Sequence, residues 1–266
     1  FQSQIVNQTM PGTSGGNTHL KNETSHSFTA AVDFTPHFVP GLTINGAYID
    51  VKINNEITSL GLGDLMSACY DSSSYPNSSY CGAFTRDPST HQVTDFAEGY
   101  YNVASQHMQA VQGKINYVLP LRRLGLPDSA GTVELTGNYI HYVKNEQKIL
   151  TSTYDMFGTT TQPQDNFTIN MNYTRDRLSF QWQTIWYGKA RYAVQVSDKT
   201  YENNRRPDFA YFNMTVGYRI TDHIDASLIV NNITDALPKY PGSISVTRYY
   251  ESLMGRSFKM SVGVHF

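Results

Sequence analysis

The chain has 266 residues, of which 16% are charged and 13% aromatic, with 19 tyrosines against 2 tryptophans and a formal charge of −2. Charged residues fall well short of the ~25% usual in soluble domains, yet a mean hydropathy of −0.41 and the absence of any long apolar run exclude a helical membrane protein. Acidic and basic residues are interspersed, which excludes a basic face for nucleic acid.

Along most of the chain apolar and polar residues exchange at every second position, the period of a strand with two unlike faces. A first strand puts Phe28, Ala30, Val32 and Phe34 on one face. A second begins with Leu42, Ile44, Gly46 and Tyr48, after which Ile49, Val51 and Ile53 take over the apolar role. That change of parity predicts a bulge, or the point where the strand leaves a bilayer. Val111, Gly113, Ile115, Tyr117 and Leu119 form a third strand, and Val133, Leu135, Gly137 and Tyr139 a fourth. In the fifth, Phe167, Ile169, Met171 and Tyr173 oppose Asn166, Thr168, Asn170 and Asn172. Leu178, Phe180, Trp182 and Trp186 mark the sixth; Phe212, Met214, Val216, Tyr218 and Ile220 the seventh. Ile224, Ala226, Leu228 and Val230 make the eighth, and Phe258, Met260, Val262, Val264 and Phe266 the last. The pattern predicts about nine strands, with nothing comparable at helical spacing.

The connections alternate in length. Short turns are expected near 35–40, 174–177 and 220–223, with a moderate one at 122–131. Long, polar, Tyr-rich segments fall near 56–105, 144–164, 196–207 and 231–255. One short end and one long end is how an outer-membrane barrel is built, and it lets a polar chain live in a membrane. Alternation alone does not say which face is inside, so a soluble β-sandwich remains open here.

Cys69 and Cys81 are flanked by Tyr, Ser, Asn and Pro. On a cell surface such a pair reads as a local disulfide closing a loop; two reduced cysteines, or a metal site with His91, are the alternatives. The same loop concentrates Tyr70, Tyr75, Tyr80, Phe84, Phe96, Tyr100 and Tyr101 near Arg86. Tyr70, Tyr75, Tyr80, Arg86, Tyr100 and Tyr101 are therefore the candidate ligand contacts, able to stack on a sugar ring or grip a chelate. The alternative is that such tyrosines pack on each other at a membrane rim. Gly61-Leu62-Gly63 lacks the rest of a dinucleotide fingerprint and reads as a flexible loop. The eight histidines are scattered, and Asp64, Cys69 and His91 make no oriented triad, so no catalytic or metal site is expected. Asn-x-Ser/Thr triplets at Asn7, Asn22, Asn77, Asn166, Asn172, Asn213 and Asn232 read as hydrophilic strand chemistry rather than glycan sites. No leader is visible at Phe1-Gln2-Ser3, so a signal peptide is expected to have been removed or to lie upstream.

The terminal aromatic Phe266, with apolar residues at alternate positions back to Phe258, resembles the signal read by the barrel-assembly machinery. Asn231-Asn232-Ile233-Thr234-Asp235 is similar to the Asn-Leu-Phe-Asp type turn before the last strand of TonB-dependent outer-membrane transporters, with Ile233 and Thr234 departing from the commonest pair. Tyr249-Tyr250 followed by Gly255-Arg256-Ser257-Phe258 resembles the approach to that strand. Residues 17–25 resemble an Asn-Pro-x-Leu-Lys-Pro-Glu-Thr segment, with Asn22 replacing a usual proline; Pro40-Gly41-Leu42 and the run 48–53 resemble the strand pair that follows.

The resemblance implies an all-β, antiparallel transmembrane β-barrel segment spanning residues 1–266, the C-terminal part of an about 22-stranded barrel. It also implies a plug domain and earlier strands outside this sequence, and a place in the Gram-negative outer membrane. The implied function is import of a scarce nutrient (a siderophore, an oligosaccharide or similar) with energy from TonB, without catalysis and without a cofactor. Its partners would be outer-membrane lipid, the rest of the barrel and plug, TonB through the plug, the assembly machinery and a small-molecule substrate. Alternatives are a plug-free porin, an outer-membrane hydrolase and a soluble secreted β-sandwich that binds carbohydrate.

Overall fold

A computed structural model describes residues 11–194, 199–201, 203–237 and 254–265. The expected features at Tyr249-Tyr250 and Phe266 lie outside the described residues. In chain order, β1 (Gly12–Gly15) precedes β2 (Thr24–Phe34) and β3 (Leu42–Leu60). Helix α1 (Leu62–Tyr70), a 3-10 turn over Ser79–Ala83 and β4 (Phe84–Arg86) follow. Next come β5 (Val93–Pro120), β6 (Thr132–Ile149), β7 (Ser152–Asp155), β8 (Asp165–Arg175) and β9 (Leu178–Tyr187). The chain continues through β10 (Ala190–Arg191), β11 (Arg205–Arg206), β12 (Phe209–Arg219), β13 (Ile224–Asn231) and β14 (Ser257–Val264).

Nine strands lie side by side in the order β14-β13-β12-β9-β8-β6-β5-β3-β2, which is the predicted nine in sequence order. One continuous sheet of this kind is not a sandwich of two packed sheets, and the soluble sandwich expectation falls with it. The sheet is not closed: β2 and β14 are its two edges. Among the described residues no helix is long and apolar enough to cross a membrane, which says nothing about strands.

Two expectations need correction. Residues 62–70 are a helix, with Leu65 and Cys69 buried, so Gly61-Leu62-Gly63 leads into α1 and is not a flexible loop. The signal was present, since Leu62, Leu65, Met66 and Cys69 stand at i, i+3, i+4 and i+7. The long segment at 56–105 is also strand at both of its ends: β3 runs on to Leu60 and β5 begins at Val93. β3 therefore continues well past the parity change at Ile49, and its left-handed residue is Asn55 (φ 56°).

The chain forms two compact units. One comprises the described residues up to His26 with Lys52–His107 and Gln147–Tyr154; the other comprises Ser27–Val51, Met108–Glu146 and the described residues from Asp155 onward. In the second unit the register aligns like with like. Leu135, Met171, Trp182, Met214, Val230 and Phe258 face each other in one cross-strand row, and Val133, Tyr173, Phe180, Val216, Leu228 and Met260 in the next. These residues share one face because strand side chains alternate. The opposite face carries a row of side-chain amides joined across four strands. Asn170 Nδ2 donates to Thr136 Oγ1 at 3.5 Å, Gln183 Nε2 to Asn170 Oδ1 at 2.9 Å, and Asn213 Nδ2 to Gln183 Oε1 at 2.9 Å.

That row ends on the Asn232 turn, where the Asn232 backbone N–H donates to Asn213 Oδ1 at 2.9 Å. The buried Asn232 amide then exchanges two hydrogen bonds with the Ala236 backbone, at 2.8 and 2.9 Å. Asp235 Oδ1 accepts from the Arg256 N–H at 2.7 Å. The two motifs around Asn232 and Arg256 are thus halves of one knot, tying the end of β13 to the start of β14.

Candidate functional site

The first unit has its own apolar core. Leu60 at the end of β3, Leu65 and Cys69 on α1, and Phe84 on β4 are buried together, with Leu62, Met66, Tyr80, Val93, Phe96, Tyr101, Val103 and Ile149 packed around them. Cys69 and Cys81 are joined by a disulfide, which fastens α1 to the 3-10 turn twelve residues on. Closing a loop of that size removes roughly 3 kcal/mol of unfolded-state entropy.

The six candidate residues fall into three places. Tyr70 and Tyr75 form a tilted pair with centroids 5.4 Å apart, and they are 44% and 53% exposed. Arg86 lies behind them: its guanidinium sits 5.6 Å from the Tyr70 and Phe84 centroids, and Nε donates to Tyr70 Oη at 2.9 Å. Its remaining nitrogens reach the His91 carbonyl at 2.6 Å and Met66 Sδ at 3.9 Å. Arg86 therefore orients Tyr70 and holds the β4–β5 turn. Tyr80 and Tyr101 meet edge-on at 5.6 Å against the core. Burial, and secondarily Tyr101, raises the Tyr80 phenol above its ordinary pKa, so it stays a neutral donor. Tyr100, 48% exposed, follows the opposite face of β5 from Tyr101.

Sequence reasoning missed the residues that hold this unit in shape. Asn102 on β5 grips the Lys21 backbone, accepting its N–H at 2.7 Å and donating to its carbonyl at 2.8 Å, and also donates to the Asn55 carbonyl at 2.7 Å. Glu23 Oε1 accepts the Ile57 N–H at 2.6 Å, and Asn17 Nδ2 donates to the Tyr100 carbonyl at 2.9 Å. The 17–23 segment is thereby stitched to β3 and β5. At the β4–β5 turn, Asp87 accepts from the Ser89 hydroxyl and from the Thr90 and Ser89 N–H groups, which hold its carboxyl down to about 2. Among the described residues no three His, Cys, Asp or Glu side chains converge as a metal site.

A sequence profile described as "TonB dependent receptor-like, beta-barrel" matches residues 1–233. The chain belongs to the TonB-dependent receptor β-barrel family. Solved structures agree in fold. A variant of the ferric enterobactin receptor PfeA from Pseudomonas aeruginosa, in complex with enterobactin, superposes with a TM-score of 0.60 at 18% identity, over 94% of this chain and 32% of that one. The siderophore receptor PirA from Acinetobacter baumannii gives 0.59 at 15% identity, over 95% and 33%. The FrpB iron transporter from Neisseria meningitidis gives 0.56 at 14%, over 95% and 33%. This chain therefore spans about a third of the length of those it matches. Comparison with curated protein sequences returned no match.

Membership of the TonB-dependent receptor family places the chain in the Gram-negative outer membrane and turns the two faces of its sheet into lipid and lumen sides. The Met214 and Val216 rows face lipid; the amide row faces the lumen. On the lipid side Phe167 stacks on Trp186 at 5.2 Å at one end, and Tyr218 is exposed at the other. From Ala210, opposite Trp186, to Tyr218 the tilted strand rises about 21 Å, close to the ~25 Å apolar band of such barrels. β5, at 28 residues, far exceeds the ~9–11 needed to cross a bilayer.

Proposed function

We propose that this receptor imports a scarce nutrient, captured at the cell surface and released inward when TonB pulls a plug domain encoded outside this sequence. The carrying observation is the disulfide-fastened unit, which presents Tyr70 and Tyr75 to solvent with Arg86 locked behind them. Exposed aromatics on a rigid support stack on a planar or ring-bearing ligand at little entropic cost. Iron chelates are the substrates to test first, because structures similar in fold include receptors solved with enterobactin and with ferripyoverdine. The chain is one part of the barrel: its edges at β2 and β14, unpaired among the described residues, call for further strands, since open edges are not viable in lipid. Phe258, Met260, Val262, Val264 and Phe266 would serve the assembly machinery, and no step in the cycle makes or breaks a covalent bond.

The native polypeptide is expected to be roughly three times 30.0 kDa, from the third of PfeA that this chain spans. Whole cells bearing the wild type or a Tyr70→Ala/Tyr75→Ala variant would then be tested for binding and uptake of radiolabelled ferric chelates, with and without an uncoupler. Uptake stopped by the uncoupler, with surface binding weakened in the variant, is expected. Uptake indifferent to the uncoupler would leave a passive porin, and unchanged binding would remove the two tyrosines from the site.

A further inference from the structure

Two adjacent short turns carry apolar side chains that nothing in the described chain covers. Between β2 and β3, Phe38 is 83% exposed; between β5 and β6, Leu124 is 65% and Leu126 47% exposed. Neither turn is loose. Val39 N–H bonds to Pro36 O at 3.1 Å, Leu42 N–H to Val39 O at 3.2 Å, and Gly125 N–H to Arg122 O at 3.1 Å. The two are also fastened to each other. Val118 N–H donates to the Gly41 carbonyl at 2.9 Å, and Arg123 donates to the Pro40 carbonyl. Gly41 holds φ +90°, and a Cβ there would collide with the Val118 carbonyl, so the junction accepts only glycine.

Apolar side chains held rigidly in water carry a cost with no return within this chain. Their neighbours indicate what removes them from water. Among the described residues the exposed Arg122 side chain pairs with the still more exposed Asp128, at 3.9 Å, a pairing worth little in solvent. Phe38 also keeps the parity of Phe28, Val32 and Phe34, the apolar face of the edge strand β2, which is exposed on both faces. Short turns of outer-membrane barrels face the periplasm, where the adjoining leaflet is phospholipid.

We infer that these two turns form a built anchor for the inner leaflet of the outer membrane: Phe38, Leu124 and Leu126 enter the acyl–headgroup boundary, and Arg122 engages the phosphate of an anionic phospholipid. Apolar bodies with a cation reaching to headgroup level are the chemistry of an interfacial anchor. The patch keeps this side of the barrel at a fixed depth while the opposite rim meets the outer leaflet. The inference depends on the barrel and not on what the receptor imports.

The test uses the whole native polypeptide with Leu124→Cys carrying a bimane label, reconstituted in phosphatidylethanolamine vesicles. Nitroxide-headgroup phosphatidylglycerol or phosphatidylcholine serves as the lipid quencher and iodide as the aqueous one. Lipid quenching several-fold above iodide quenching is expected, stronger with phosphatidylglycerol, and Arg122→Gln should lower that preference by up to about fivefold. Quenching by iodide alone would overturn the anchor. Equal quenching by the two lipids would overturn the anionic headgroup assignment. Shielding from every quencher would mean a protein covers the turns, and would equally overturn it. If Leu124→Cys fails to give the heat-modifiable folded band, Phe38→Cys reads the same patch from the other turn.

Discussion

Placing one lysine at successive depths on β12 and β14 tests the face and the depth assignment together. Met214 lies midway between Ala210 and Tyr218, the ends of the apolar band on β12. Val216 is two residues further on, about 5 Å along the barrel axis for a strand tilted near 40°. Val262 aligns through Ala226 with Tyr218, about 10 Å from the middle. A lysine on the lipid face costs about 2–4 kcal/mol at the midplane and about 0–1 near the interfaces. Met214→Lys should therefore cost about 3 kcal/mol, Val216→Lys about 2 and Val262→Lys about 1 or less. Thr215 faces the lumen beside Gln181, and Ser261 beside Ser227, so lysine there should stay within about 0.5 kcal/mol. The assay is a urea titration of the complete protein folded into vesicles, read by heat-modifiable electrophoretic mobility. Equal costs at Val216 and Thr215 would refute the face assignment, and a cost that rises from Met214 to Val262 would refute the depth.

Replacing Cys69 and Cys81 by serine should loosen the α1 unit by roughly 3 kcal/mol, seen as faster proteolysis within 61–92 while the urea midpoint of the barrel stays put. The Asp87 carboxyl, held down to about 2 by Ser89 and Thr90, stabilises its turn when ionised. That support is complete above the ordinary carboxylate range and lost as pH falls toward 2, so hydrogen-exchange protection of the Ser89 and Thr90 amides should drop between about pH 4 and 2; constant protection would contradict it. Asn102→Ala should release the 17–23 segment, with Lys21 amide protection falling by about 1–3 kcal/mol in exchange free energy. Asn213→Ala leaves the buried end of the amide row without its acceptor and should lower stability by about 1–3 kcal/mol, whereas Asn172→Ala, outside that row, should not.

What was legible in the sequence follows from what surrounds each stretch. β8, β9, β12, β13 and β14 lie between lipid and a polar lumen, and that contrast writes strict alternation into residues such as Phe167 to Tyr173. Beyond the bilayer the contrast vanishes. The outer part of β5 buries Ala104 on the same strand that exposes Tyr100, and its partners are polar segments, so residues 93–105 read as loop. The tyrosine-rich loop was visible as composition, but its division into an exposed Tyr70–Tyr75 pair and a packed Tyr80–Tyr101 pair was not. That division depends on Arg86 and the α1 core, contacts that no local pattern encodes. Asn102 was illegible for the same reason, since its partners lie 47 and 81 residues away.

One row of the lumen wall is joined by neutral groups, the Thr136 hydroxyl to the Asn170, Gln183 and Asn213 amides, and not by ion pairs. A Debye length shrinks from about 30 Å at 0.01 M salt to about 3 Å at 1 M, and surface ion pairs fade with it. Dipolar bonds between amides carry no net charge to screen. A bacterium moving between fresh and brackish water would keep this row of the inner surface throughout.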